Sequence, residues 1–165
     1  ALPVATNYST AMTWPYTACI AKIEGARIAM LTAQPVVAEI EALAENLRNL
    51  GLPVEVAEPG DGSRSIRATT SGIPFSAFLF KNEDQASPYL MLSAMFPDRR
   101  ASIEWANNWN NRFPLTRASV TSDGEVMLTH SIILTGITID HLKEAASWWD
   151  LFLRLFVEDL MSEKK

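Results

Sequence analysis

Four short strand-like segments follow one another between residues 52 and 96, and turn-forming residues separate each segment from the next. The separators are Pro59-Gly60-Asp61-Gly62, Ser71-Gly72 and a polar loop at residues 82–87. Because consecutive strands joined by short turns pair antiparallel, this stretch predicts an antiparallel meander. The predicted strands span residues 52–58, 63–70, 73–81 and 89–96.

Helical patterns stand on both sides of the meander. Apolar residues recur at helical spacing from Val36 to Leu50, with Pro35 in the predicted first turn and Gly51 after the last one. Residues 101–113 predict a second helix. A hairpin is predicted next, with strands at residues 116–121 and 126–133 on either side of Ser122-Asp123-Gly124-Glu125.

A last helix completes the predicted order. Thr138 is its predicted N-cap, and the helix is expected to run to about Met161. The elements then follow the order α-ββββ-α-ββ-α. A block of adjacent strands bracketed by helices indicates an α+β fold, in which an antiparallel sheet packs against the helices.

The composition fits one folded domain, which we place at residues 34–161. Of the 165 residues, 48% are hydrophobic and 20% charged, enough to form a sizeable core. The net charge is −5, and basic residues form no run longer than the pairs Arg99-Arg100 and Lys164-Lys165. Because nucleic-acid affinity depends on clustered cations, the sequence predicts no nucleic-acid partner.

The two ends of the chain are predicted to lie outside this domain. Residues 1–33 are expected to form an arm or a weak helix, and residues 162–165 a charged tail. Residues 1–21 carry no charge, but Asn7, Pro15 and several threonines make them too polar to span a bilayer. No basic residue precedes Lys22, so an intact signal peptide is not expected. The compartment stays open: the cytoplasm is favoured, and a periplasmic or secreted location requires a removed signal.

Residue types that carry catalysis or bind metals are few. His130 and His141 are the only histidines, and neither lies in a metal-binding spacing such as H-E-x-x-H. Cys19 is the only cysteine and has no local nucleophile signature. The sequence therefore predicts no catalytic residue, no metal site and no cofactor.

Residues 106–111 read Ala-Asn-Asn-Trp-Asn-Asn, in the middle of a predicted helix. Asparagine is a poor helix former because its short amide competes for backbone hydrogen bonds, so four of them need a reason other than propensity. We expect Asn107 and Asn110, neighbours at i and i+3, to bond to the backbone of adjacent strands or of the hairpin near Asp123-Gly124. A polar ligand pocket and a solvated face are the alternatives.

An aromatic stripe runs along the same predicted helix. At 100° per residue, Trp105, Trp109 and Phe113 fall on one side, roughly opposite Asn107 and Asn110. A stripe of large apolar residues at helical spacing is typical of a helix face packed on a core. The sequence therefore predicts that Trp109 anchors the core and does not bind a ligand.

Three motifs occur together in the second half of the chain: Asn107-Asn108-Trp109-Asn110 with Arg112-Phe113 after it, residues 117–120 leading into residues 123–128, and Gly136-Ile137-Thr138 before the last helix. In these motifs the chain resembles the YbjN domain family, bacterial proteins described as sensory transduction regulators. The resemblance covers about residues 33–160. It implies a fold similar to that of type III secretion chaperones and a non-catalytic regulator or interaction module, with no catalytic residues.

The last predicted helix is apolar over more than half its circumference. One stripe is predicted to cover the sheet, and Trp148, Leu151 and Leu155 widen it on one flank. Such a helix must bury both flanks. We expect a homodimer at these three residues, since symmetric pairing is the commonest assembly of small proteins. Coverage by the N-terminal arm, or by a different protein or peptide, is the alternative. The stripe consists of Leu142, Ala146, Trp149, Phe152, Leu153, Phe156 and Leu160.

The expected function is that of a non-enzymatic regulatory or adaptor protein that acts through protein contacts. The alternative is a small, acidic, dimeric chaperone that shields a client segment, which would bind at a sheet edge or in a groove. A third hypothesis is a small-molecule sensor or hydrolase that uses the region of Asn107 and Asn110.

Overall fold

A computed structural model describes residues 34–58, 64–81 and 87–162. It confirms the predicted α+β fold and the order α-ββββ-α-ββ-α: within the described residues, three helices accompany a six-stranded antiparallel sheet. The predicted arm at residues 1–33 and most of the charged tail lie outside the described residues, so those domain boundaries stay predictions. The helices are α1 (Ile40–Asn49), α2 (Ile103–Arg112) and α3 (Ile139–Ser162). The strands are β1 (Val54–Ala57), β2 (Ser65–Thr70), β3 (Ile73–Phe80), β4 (Tyr89–Arg100), β5 (Arg117–Val120) and β6 (Glu125–Ile133).

The strand order in the sheet is β1-β2-β3-β4-β6-β5. The first four strands form the predicted meander, whereas β6 lies beside β4 and places β5 at the edge. β4 continues to Arg100 and so exceeds its predicted end at Phe96. Its pairing with β6 explains the extension, because the ladder shifts register after Phe96 and then joins Arg100 to Glu125.

Helix α1 begins at Ile40, so the prediction that Pro35 lies in its first turn is wrong. Pro35 instead forms an isolated β-bridge with Thr138. Backbone bonds hold this pairing on both sides, since the Val36 N–H donates to the Ile137 carbonyl at 3.1 Å and the Ile139 N–H donates to the Gln34 carbonyl at 3.1 Å. These bonds keep the segment extended, so the apolar spacing of residues 36 and 37 is not helical.

The core lies on one face of the sheet. Leu90, Leu92 and Leu128 are buried there against the inner faces of the helices. The largest fully buried side chains are Trp109, Trp149 and Phe156. Leu142, Phe152, Leu153 and Leu160 of the predicted α3 stripe are also buried.

Side-chain hydroxyls cap two helices. The Ser102 hydroxyl accepts a hydrogen bond from the Trp105 N–H at 3.0 Å at the start of α2. The Thr138 hydroxyl lies 3.4 Å from the His141 N–H at the start of α3, which is the N-cap position that the sequence predicts. These caps fix where α2 and α3 leave the sheet.

The hairpin between β5 and β6 depends on Gly124, whose φ is +80°. We expect Gly124→Ala to lower the free energy of unfolding by about 1–2 kcal/mol, because an alanine is strained at positive φ. Its methyl carbon would also lie 3.0 Å from Cδ of Arg100. The matched control is Gly72→Ala, where φ is +78° and no atom lies within 4 Å of the added carbon. Urea unfolding should rank Gly124→Ala as the less stable variant, and equal losses would remove any role for the Arg100 contact.

Candidate interaction site

Asn110 closes the outer edge of the sheet. Its amide nitrogen Nδ2 donates to the Ala118 carbonyl at 3.0 Å, and its Oδ1 accepts from the Ala118 N–H at 2.7 Å. Both groups of Ala118 point away from β6, because the N–H and C=O of one residue in an antiparallel strand face the same side. The side-chain amide thus takes the place of a neighbouring strand and holds α2 against β5.

Trp109 lies beneath this contact and is fully buried. Its indole Nε1 donates to the Thr116 hydroxyl at 3.1 Å. The indole meets the ring of Phe156 edge to face, with 4.8 Å between centroids, and lies 4.2 Å from the ring of Phe113. Trp109 therefore joins α2 to both the start of β5 and the inner face of α3.

Asn107 is not part of this arrangement. Its side chain is exposed and makes no hydrogen bond within the described part of the chain. A helix turns about 300° over three residues, so Asn107 and Asn110 point in directions 60° apart and only Asn110 faces the edge of β5. The geometry therefore gives no support to a ligand pocket at this pair.

The two histidines make local contacts. His130 Nδ1 lies 2.6 Å from the Leu115 carbonyl, and His141 Nδ1 lies 2.8 Å from the Thr138 hydroxyl. Within residues 34–58, 64–81 and 87–162, no three His, Cys, Asp or Glu side chains come together as a set that could bind a metal ion. Cys19 lies outside the described residues.

The α3 flank, formed by Trp148, Leu151 and Leu155, is covered unevenly. Trp148 is 44% exposed and stacks on the ring of Phe152, with 5.8 Å between centroids. Leu151 is half-buried beside it, and the two residues line a groove of about 470 Å³. Leu155 packs against the core. The flank therefore presents one large apolar side chain, Trp148, in the lining of a groove.

Charged side chains surround this groove. Asp140, Lys143 and Glu144 line it together with Ser147, all from the first half of α3. An aromatic side chain inside a polar rim is the arrangement that protein interfaces use most often at their energetic centre. The groove is therefore the candidate interaction site among the predicted residues.

Asp150 joins the opposite side of α3 to the turn between β2 and β3, a contact that the sequence analysis missed. Its Oδ1 accepts from the hydroxyls of Thr70 and Ser71, each at 2.6 Å, and its Oδ2 accepts from Arg154 at 3.1 Å. Burial raises the pKa of Asp150. The hydrogen bonds from Ser71 and Thr70, together with the charge of Arg154, outweigh it and leave the pKa below its ordinary value. The ionised carboxylate therefore stabilises the fold.

The described residues form a small α+β domain with its helices on one face of an antiparallel sheet. Over residues 39–159 it matches the family model of YbjN, described as a putative bacterial sensory transduction regulator. The chain belongs to the YbjN family, as the sequence motifs indicate. No curated protein matches it. The family description is regulatory and names no enzymatic reaction. Among the described residues, no helix is long and apolar enough to cross a membrane.

The pair Asn110→Asp and Asn107→Asp tests the edge contact. We expect Asn110→Asp to cost about 1–3 kcal/mol, because the variant loses the donor to the Ala118 carbonyl and sets a carboxylate oxygen against it. Asn107→Asp adds the same charge to an exposed position of the same helix, and should change stability by less than about 0.5 kcal/mol. Chemical denaturation of both variants at pH 7 measures the difference. Equal effects would contradict the pairing with β5.

The pH dependence of Asp150→Asn tests the contact with the β2–β3 turn. A carboxyl whose pKa is lowered by folding adds stability above its unfolded pKa and loses it as the pH falls through the folded value. Wild type should therefore be more stable than Asp150→Asn at pH 7. The difference should shrink as the pH falls below the ordinary Asp pKa of 3.8. Thermal melts between pH 7 and pH 3 measure this, and a difference independent of pH would show that the charge is not responsible.

Proposed function

We propose that the protein is a non-enzymatic regulator that acts through protein contacts at the α3 flank. The observation that carries the proposal is Trp148, which is 44% exposed and lines a groove of about 470 Å³. Tryptophan is the residue type that most often dominates the energy of an interface. The regulatory description of the family supports the regulatory part of the proposal.

The groove fits a protein or peptide partner better than a small polar substrate. It is open, it belongs to a single helix, and Trp148 with Leu151 is its apolar part. An apolar side chain of a partner could pack on the indole while polar groups meet the rim at Lys143 and Glu144. The homodimer predicted at this flank stays a prediction, and a regulated protein of different sequence is the other partner that the proposal allows.

Trp148→Glu tests the proposal. Because Trp148 is largely exposed, the variant should fold and melt within a few degrees of wild type, while a charge at the centre of the contact should abolish binding. A strain that lacks the gene should regain its wild-type expression profile with the wild-type chain. It should keep the deletion profile with Trp148→Glu.

Ile103→Glu is the matched control. Ile103 is 71% exposed on α2, away from the α3 groove, and receives the same substitution of an apolar side chain by a carboxylate. It should restore the wild-type profile. A folded Trp148→Glu variant that also restores the profile would show that the α3 flank does not carry the function.

A further inference from the structure

The sheet has a second broad face on which no described helix packs. Alternate residues of each strand point to it, because side chains in a strand alternate between the two faces. None of its large side chains belongs to the core, and Met95 and Ile133 are 52% and 63% exposed. We call this surface the open face. Its large apolar residues include Phe78, Tyr89, Met91, Met95, Met127 and Ile133.

The register places a polar row across the middle of the open face. Glu55 pairs with Arg67, which pairs with Ser76. The row then continues through one residue of each remaining strand and ends at Arg117 on β5. Its acidic residue, Glu55, therefore lies at the β1 edge of the sheet, and the basic residue Arg117 lies at the β5 edge. The full row is Glu55, Arg67, Ser76, Ser93, Thr129 and Arg117.

We propose that a second copy of the chain covers the open face, with the two sheets packed face to face about a two-fold axis along the mean strand direction. Aligned packing of this kind is one of the two common arrangements of stacked sheets. The axis lies between β3 and β4, at the centre of the strand order. It sets β1 of each copy over β5 of the other.

The charges favour this axis over the perpendicular one. With the axis along the strands, Glu55 of each copy faces the partner's Arg117, which gives two opposite-charge pairs. With the axis across the strands, each strand would lie over its own counterpart. Where such an axis follows the polar row, Glu55 would face the partner's Glu55, and Arg67 the partner's Arg67. Like charges set against each other oppose association.

The size and shape of the face also fit a second copy. The six strands together contain 43 residues, and at about 3.3 Å per residue and about 4.8 Å between strands they form a patch of about 700 Å². A standard interface buries about 800 Å² on each partner. A concavity of about 730 Å³ extends over β1 to β4 of the open face. The axis sets its β1 and β2 part opposite β5 and β6 of the other copy, and the partner's Met127 on β6 would project into it.

This inference does not rest on the proposed function, because it uses a different surface. It places the homodimer on the sheet and leaves the α3 flank to a partner of different sequence.

We expect the wild-type chain to be a dimer by sedimentation at micromolar concentration, and Met95→Glu to be a folded monomer. Ile103→Glu, on α2, should leave the dimer unchanged.

Charge exchange tests the axis. Glu55→Arg and Arg117→Glu should each weaken the dimer by about tenfold or more, because each turns two attractive pairs into repulsive ones. The double variant should restore the wild-type dissociation constant to within about threefold.

A wild type that stays monomeric would overturn the proposal, as would a dimer that Trp148→Glu dissociates and Met95→Glu does not. Failure of the double variant to recover would overturn the axis.

Discussion

The pair of hydrogen bonds between Asn110 and Ala118 is the contact on which the second half of the fold depends. It ties α2 to the edge of the sheet at a place where two backbone groups would otherwise lack a partner. With α2 fixed there, Trp109 is directed inward, and its indole can reach both Thr116 and Phe156. A poor helix former is thus kept within a helix because its amide pairs with a strand.

Phe156 packs the last helix against this arrangement. Besides Trp109, the rings of Trp105 and Phe96 lie within 5.2 and 5.5 Å of it, so residues from α2, β4 and α3 meet at one point. Aromatic clusters of this kind combine a large buried area with directional ring contacts. The position of α3, and with it the exposure of Trp148 on its flank, therefore follows from where α2 is held.

The sequence predicts the elements well and the contacts between them poorly. Apolar periodicity and turn residues determine helices and strands over a few neighbouring positions, which is why the order and the buried position of Trp109 could be read from the chain. Pro35 and Asp150 contact residues about 80 to 100 positions away, and no local pattern reports such a partner. Similarly, the asparagine-rich segment predicted hydrogen bonds for both Asn107 and Asn110. Only the position of β5 shows that Asn110 makes them and Asn107 does not.

The edges of the sheet decide how a partner can approach it. Asn110 occupies the groups of Ala118 at the β5 edge, so a client strand cannot pair there without displacing α2. The other edge, β1, has four residues, and Arg48 Nε lies 3.4 Å from the Val54 carbonyl. Strand addition needs a row of free backbone groups. Strand addition at either edge is therefore disfavoured, so a client segment, like the partners proposed above, would have to meet a broad surface, the α3 flank or the open face.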